Sequence, residues 1–209
     1  MIGLLLRVLV IVLLAIAPPS HAGNELPGDS VYLLEDGFSD QAGKGFALAD
    51  RRGQPQLVSM FYTSCRYVCP LIIDSAKGVE RGLSEAERAQ LGFLLISMDP
   101  LRDDTAALAS VAAKRKLDPA RWTLARTEAA SVRRVAALLG VRYRALADGE
   151  FNHTSALVLL DAQGRVVART ERLGSVPDPT FLATVKATLA ARGVRDLFRG
   201  SIKVESSER

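Results

Sequence analysis

Two cysteines separated by three residues are the feature of this chain that most clearly points to chemistry. Cys65 and Cys69 are the only cysteines among its 209 residues. Thiols at this spacing can form a disulfide or bind a soft metal ion. As a structural crosslink the pair would close so short a loop that it would stabilise the fold by only about 2 kcal/mol. Redox or metal chemistry is therefore favoured over a structural role.

The segments around the two cysteines predict a reactive setting for them. The apolar run Leu57–Tyr62 is typical of a strand buried on both faces, and Pro70 fits the first turn of a helix that continues to Leu83. A thiol between a strand end and a helix start faces unpaired amide groups and the positive end of the helix dipole. Both favour the thiolate, which attacks disulfides and binds metals.

His153 is the candidate third donor. It precedes an apolar strand predicted at Thr154–Leu160, and in a thioredoxin-like sheet the loop before that strand lies beside the start of the cysteine-bearing helix. A lone histidine is ordinarily a hydrogen-bonded surface or core residue. Here Cys65, Cys69 and His153 can converge, and two thiolates with an imidazole suit Cu(I) or Cu(II).

The first 22 residues predict a secretory signal peptide. Arg7 precedes the apolar run Val8–Ala17, and small residues flank His21 before a cut after Ala22. The alternative is an uncleaved anchor, but the apolar run is shorter than the ~20 residues that span a bilayer. We expect a periplasmic protein in which His153 is the remaining histidine. Membrane contact is expected only if the segment is not cleaved.

Composition excludes several classes of protein. Hydrophobic residues make up 48% and charged residues 24% of the chain, which is ordinary for a globular domain and excludes whole-chain disorder, collagen or coiled coil. Two cysteines cannot form a disulfide-rich scaffold or a four-cysteine zinc site. A formal charge of +4 is too small to indicate a nucleic-acid partner.

The order of predicted elements indicates an α/β fold, a thioredoxin-like mixed sheet flanked by helices. An irregular segment over 23–45, with a short strand at Val31–Leu34, precedes a domain over 46–196 and a polar tail over 197–209. Predicted strands are Phe46–Ala49, Gln56–Tyr62, Gly92–Met98, Trp122–Ala125, Tyr143–Leu146, Thr154–Leu160 and Arg165–Thr170. Predicted helices are Leu71–Leu83, a short one capped by Ser84 and Glu87, Thr105–Lys116, one from Thr127 to Gly140, and Thr180–Arg192.

Other charged or aromatic residues predict structural roles. We interpret Asp99, Asp103 and Asp104 as a solvated loop that caps the next helix, in preference to a carboxylate metal site. The basic runs 114–116 and 133–134 are interpreted as solvated charge on helix faces. Trp122 is expected in the core.

Four segments resemble the Sco/SenC family of thioredoxin-like, copper-binding assembly proteins. The run from Phe61 to Pro70 resembles the family's aromatic-Tyr-Thr-x-Cys-x-x-Val-Cys-Pro segment, and Ser97-Met98-Asp99-Pro100-Leu101-Arg102-Asp103 resembles its Val-Asp-Pro-x-Arg-Asp segment. His153-Thr154 with the apolar strand, and Asp161-Ala162-Gln163-Gly164-Arg165 after it, resemble two further family segments. The resemblance covers roughly residues 40–192.

The resemblance implies that Cys65, Cys69 and His153 are copper ligands. It implies a metallochaperone that serves the copper-site subunit of cytochrome c oxidase or another cuproprotein. The chain departs from the family at Arg66-Tyr67, where Pro-Asp is common, and at Asn152, which is often Asp. These departures make the surroundings more positive, which favours thiolate and weakens the attraction for a cation.

Two alternative functions use the same thiols. In a thiol–disulfide oxidoreductase, one of Cys65 and Cys69 attacks a target disulfide and the other resolves the mixed disulfide, with a thioredoxin-like reductant as partner. That class favours a Cys-x-x-Cys spacing and a proline before the late strand, and the chain has neither. A thiol peroxidase would use Thr63 beside one reactive cysteine, but it fits the pair poorly. The metallochaperone is therefore ranked first.

Overall fold

The computed structural model of the chain describes residues 25–65 and 68–205. The predicted signal peptide and the departure at Arg66-Tyr67 lie outside the described residues. Within the described part, no helix is both long enough and apolar enough to cross a membrane.

Nine strands and five helices are described, with two short 3-10 helices at Val31–Leu33 and Leu48–Arg51. The strands are β1 (Gly37–Asp40), β2 (Gly45–Ala47), β3 (Gln56–Phe61), β4 (Gly92–Ser97), β5 (Trp122–Arg126), β6 (Tyr143–Ala145), β7 (Phe151–His153), β8 (Leu157–Leu160) and β9 (Val166–Thr170). The helices are α1 (Val68–Arg81), α2 (Glu85–Arg88), α3 (Thr105–Lys114), α4 (Ala129–Leu138) and α5 (Pro179–Glu205).

Seven strands form one mixed sheet in the order β2-β1-β5-β4-β3-β8-β9, and β6 and β7 form a separate hairpin. Strands β3, β4 and β5 are parallel, whereas β8 runs antiparallel to β3 with Val58 opposite Val158. The carboxyl end of β3 therefore lies beside the amino end of β8. This pairing brings the cysteine segment and the histidine segment to the same edge of the sheet.

The central strands are buried because their sequences are apolar on both faces. Every residue of β3, β4 and β8 is buried, as expected for strands covered by helices on both sides. Trp122 is 1% exposed and stacks on Phe93 at 4.3 Å between ring centroids, which confirms its core position. The mixed sheet flanked by helices is confirmed.

Several element boundaries differ from those predicted. The predicted strand at Val31–Leu34 is wrong: a 3-10 helix forms there because the Ser30 side chain accepts from the Tyr32 amide. The capping box of Ser84 and Glu87 is confirmed. Helix α3 is capped by Asp104, whose carboxylate accepts from the Ala107 amide, so the interpretation that the acidic loop caps this helix is confirmed.

Three further differences lie in the second half of the chain. Strand β7 was not predicted, and the predicted strand at Thr154–Leu160 is confined to β8. Helix α5 continues to Glu205, through much of the predicted polar tail. Arg134 is not simply solvated, because its guanidinium pairs with Asp36.

Candidate metal centre

The two cysteines lie together at the start of α1. The amide of Cys69 donates to the Sγ atom of Cys65 across 3.3 Å. An amide of the first helical turn is free to do this because it has no partner inside the helix. Cys65 is partly exposed and Cys69 is buried, and no disulfide joins them in the described structure. The predicted juxtaposition of a thiol with first-turn amides is confirmed for Cys65.

Burial keeps the second thiol protonated, whereas the sequence led us to expect a thiolate. Cys69 is 3% exposed, and this burial raises the pKa of its thiol well above the ordinary value. The amide of Tyr62 donates to Cys69 Sγ across 3.4 Å and lowers the pKa, but this effect is smaller. The expectation that helix-start amides make both thiols acidic is therefore wrong for Cys69.

The basic run at 114–116 also contributes to this helix start. Arg115 donates to the carbonyl of Pro70 across 3.3 Å and pairs with Asp74. Its guanidinium therefore ties α3 to the first turns of α1. The interpretation of this run as solvated charge is wrong at Arg115, because the close packing of the two helices brings a carbonyl and a carboxylate within reach.

Tyr62 connects the cysteines to the histidine hairpin. It follows β3, is 3% exposed, and donates its hydroxyl to Glu150 Oε2 across 2.7 Å. Burial raises the pKa of Tyr62, and hydrogen bonds to Glu150 and Cys65 raise this pKa further. Its ring packs edge-on against the imidazole of His153, with 5.9 Å between ring centroids. Tyr62 therefore contacts all three predicted donors.

His153 ends strand β7 and lies opposite Tyr143 in the hairpin. Its Nδ1 atom lies 3.3 Å from the carbonyl of Thr154 and 3.5 Å from the hydroxyl of Ser155. Burial lowers the pKa of His153, and the hydrogen bond to Thr154 raises the pKa by a smaller effect. The imidazole is thus predominantly neutral at pH 7, the state in which it can bind a metal.

The described residues do not present a ready-made metal centre. Among them, no group of three or more His, Cys, Asp or Glu side chains is arranged to hold a metal ion. The structure brings Cys65 and Cys69 together and places His153 against Tyr62. The assignment of these three residues as ligands stays a prediction.

Asp103 is a buried support of the cysteine segment. It is fully buried, and its carboxylate accepts from the amide of Thr63 at 3.0 Å and from the hydroxyls of Thr63 and Ser97. Asp99 is also buried, at 5% exposure. The interpretation of this segment as a solvated loop is correct only for Asp104. It is wrong for Asp99 and Asp103 because the loop folds back onto the ends of β3 and β4.

Arg102 provides a second link to the histidine hairpin. Its guanidinium pairs with Asp99 and donates to the carbonyl of Gly149, in the turn between β6 and β7. It also lies over the ring of Phe151, at 5.9 Å from the centroid. The loop after β4 therefore holds the hairpin through Gly149 and Phe151, and Tyr62 holds it through Glu150 and Phe151.

Sequence reasoning missed Tyr62, Glu150, Arg102 and the buried role of Asp103. Tyr62 has a usable signal, since a tyrosine that directly follows a buried strand and precedes the cysteines must lie near them. Glu150 has none, because its partner is distant in sequence and the hairpin that carries it was not predicted.

Comparison with protein families matches residues 36–189 to the SCO1/SenC family. Comparison with curated proteins gave no match. Bradyrhizobium japonicum ScoI with copper bound shares the fold at a TM-score of 0.61 and 24% identity, over 73% of this chain and 96% of that chain. Yeast Sco1 with copper bound has a TM-score of 0.61 and 19% identity, over 73% of this chain and 84% of that chain. BsSco has a TM-score of 0.63 and 20% identity, over 74% of this chain and 91% of that chain. It is described as a member of the Sco family of cytochrome c oxidase assembly proteins in which a disulfide switch was identified.

These structures confirm the predicted Sco-type thioredoxin-like fold. The family match covers the cysteine segment, the Asp103 loop and the histidine hairpin within one continuous stretch. The chain belongs to the SCO1/SenC family.

Proposed function

We propose that this protein is a copper-binding metallochaperone of Sco type. Copper binds through Cys65, Cys69 and His153 and is delivered to the copper site of cytochrome c oxidase or of another cuproprotein. The observation that carries the proposal is the position of Tyr62, which touches both cysteines and the neutral His153. A single residue thus contacts the three proposed donors, through its amide at Cys69 and its side chain at Cys65 and His153.

The donor chemistry fits copper as cargo. Thiolate sulfur is a soft ligand that selects Cu(I), and neutral imidazole binds both copper states. Burial lowers the pKa of His153, so that its lone pair is available at neutral pH. Burial raises the pKa of Cys69, so copper binding must displace a proton from this thiol. Copper binding should therefore strengthen as the pH rises, through the ordinary titration range of a thiol and beyond it.

The comparisons support the metal and the class of recipient. Two of the solved relatives hold copper, and a third is described as a cytochrome c oxidase assembly protein. Residues 1–22 have the charge, apolar run and small residues of a signal peptide. The proposed location is the periplasm, outside the reducing cytosol, where a Cys65–Cys69 disulfide can also form.

A titration of the reduced protein with Cu(I) against a competing chelator tests the proposal. We expect one tight equivalent, which Cys65→Ser or Cys69→Ser abolishes. Loss of a residue that only hydrogen-bonds to a metal ligand weakens binding about 10- to 100-fold. His153→Ala should weaken binding by more than this, because it removes a ligand. Ser64→Ala, at an exposed neighbour of Cys65, is the matched control and should bind like the parent. If His153→Ala binds Cu(I) as tightly as the parent does, and also binds Cu(II) as tightly as the parent does, the three-ligand assignment is refuted.

A thiol–disulfide oxidoreductase is the second candidate. The observation in its favour is the hydrogen bond from the Cys69 amide to Cys65 Sγ, which stabilises a thiolate on the exposed cysteine. Here Cys65 attacks a target disulfide and Cys69 resolves it, and a thioredoxin-like reductant regenerates the dithiol. Weak copper binding that ignores His153, with rapid exchange of a Cys65–Cys69 disulfide, would establish this function instead.

A further inference from the structure

A polar cavity of about 470 Å³ lies beside His153. It is lined by residues that include Arg142, Arg144, Asn152, His153 and Ser155. We call this cavity the basic pocket. None of the roles proposed above for the cysteines, Tyr62 or Asp103 requires it.

Strand geometry places the two arginines of the basic pocket together. The amide of Thr154 donates to the carbonyl of Arg142, which extends the ladder of the hairpin by one residue. Because side chains alternate along a strand, Arg142 and Arg144 point to the same face, which Asn152 shares opposite Arg144. His153 and Tyr143 belong to the other face, which carries the ring contact with Tyr62.

The positive charge of the basic pocket is not neutralised by the described part of the chain. Arg142 and Arg144 are exposed, and neither side chain forms a hydrogen bond or ion pair with a residue that the structure describes. Arg133 of α4 adds a third positive charge near Tyr143: burial raises the pKa of that phenol, and Arg133 lowers it by a smaller effect. The acidic residue of the wall, Glu171, is already paired with Arg169 at 2.9 Å.

The donors of the basic pocket suit a carboxylate. A guanidinium presents two parallel N–H groups that match the two oxygens of a carboxylate. The amide of Asn152 and the hydroxyl of Ser155 supply further donors. The volume is in the range of pockets that hold whole small molecules or several residues, and is larger than one carboxylate needs. It therefore fits an acidic side chain together with part of the chain that carries it.

We propose that the basic pocket docks an acidic segment of a partner protein directly beside His153. Identifying this partner as the copper recipient rests on the function proposed above, but the binding of acidic chain does not. Docking at this place brings the partner to the hairpin that carries His153. The arginines then act on partner choice and on the rate of encounter, which electrostatic complementarity governs.

Calorimetric titration of the metal-free protein with hexaglutamate at low ionic strength tests the proposal. Glutarate serves as the small dicarboxylate of the same chemistry. We expect hexaglutamate to bind more tightly than glutarate, and Arg142→Gln and Arg144→Gln each to weaken it about tenfold. Arg52→Gln is the matched control, since Arg52 is equally exposed but precedes the opposite end of β3. It should change the affinity less than twofold.

The outcomes separate this inference from the copper function. No copper is present, so a chain that fails to bind Cu(I) can still bind hexaglutamate through the basic pocket. Equal affinity for glutarate and hexaglutamate would assign the pocket to a free small acid and overturn the docking proposal. If Arg52→Gln weakens hexaglutamate binding as much as the pocket variants do, the binding depends only on net charge and the docking proposal is overturned. Absence of hexaglutamate binding at low salt would also overturn the proposal.

Discussion

The hydroxyl of Tyr62 donates a 2.7 Å hydrogen bond to Glu150, and so joins the end of β3 to the hairpin that carries His153. Arg102 makes the second connection through the carbonyl of Gly149. Both links reach the β6–β7 turn, whereas His153 lies at the far end of β7. The position of the imidazole therefore depends on how firmly these two links hold the hairpin.

Tyr62→Phe should loosen the hairpin without unfolding the protein. The phenyl ring keeps the packing against His153 and Phe151, while the hydrogen bonds of the hydroxyl to Glu150 and Cys65 are lost. Because Glu150 is exposed and stays hydrated, the free energy of unfolding should fall by only about 1 kcal/mol. Amide hydrogen exchange in residues 143–153 should accelerate about fivefold, measured by mass spectrometry.

Tyr143→Phe is the control for this change, because the Tyr143 hydroxyl makes no hydrogen bond with the described residues. It should leave hairpin exchange near the parent rate. The same rate in all three proteins would mean that the Tyr62 hydroxyl does not hold the hairpin.

Asp103→Ala should destabilise the protein far more than Asp104→Ala. Removal of the Asp103 carboxylate leaves the amide of Thr63 and two hydroxyls without their buried acceptor. We expect a loss of about 3 kcal/mol in the free energy of unfolding, measured in urea. Asp104→Ala removes an exposed helix cap and should cost about 1 kcal/mol. Similar losses for the two variants would contradict the buried support role.

Tyr32→Phe should stabilise the protein and change its alkaline unfolding. The Tyr32 hydroxyl is buried without a hydrogen-bond partner among the described residues, and burial raises the pKa of this phenol above its ordinary value. The unfolded phenol ionises above pH about 10 while the folded one stays neutral, so stability is full below that pH and falls above it.

The Phe variant lacks this pH-dependent loss. It should gain about 1 kcal/mol at neutral pH, because no unpartnered hydroxyl is buried. Urea unfolding from pH 8 to 11 should show its advantage over the parent growing with pH. Parallel curves would mean that Tyr32 does not contribute to the alkaline slope.

Gly164→Ala should disrupt the contact between the turn after β8 and the N-terminal segment. Gly164 has a φ of +81°, and a Cβ atom there would approach the Tyr32 ring to 2.6 Å. We expect a loss of about 3 kcal/mol, from backbone strain and overpacking together. Gly53→Ala has a φ of +92° but meets nothing within 4 Å, so thermal unfolding should show only a cost of about 1 kcal/mol. Equal costs would exclude the clash with Tyr32.

Local sequence was enough to predict the central strands of the sheet and the position of the thiols, but not β1, which lies in the segment predicted as irregular. The apolar runs that became β3, β4 and β8 are buried along their whole length, so their composition alone identifies them. The pairing of β8 with β3 then brings His153 toward the cysteines. The capping box of Ser84 and Glu87 is equally local, because both partners lie within one helical turn.

The remaining features depend on contacts between distant segments. The local sequence around Asp103 is typical of a solvated loop, but Thr63 and Ser97 donate hydrogen bonds to its buried carboxylate in the folded chain. The acidity of Cys69 is decided by burial under the fold, which outweighs the helix-start amides. Strand β7 is short and half exposed, and it forms because β6 supplies its partner and Tyr62 supplies its packing.

The Tyr62–Glu150 link also determines when the site can exist during synthesis of the chain. Its two residues are 88 positions apart, and closing such a loop costs about 4 kcal/mol in chain entropy before any contact compensates for it. A chain that has emerged only as far as β5 carries both thiols but lacks the imidazole and the hairpin. Thiol oxidation is therefore open to the nascent chain, whereas a three-donor site belongs only to the completed fold.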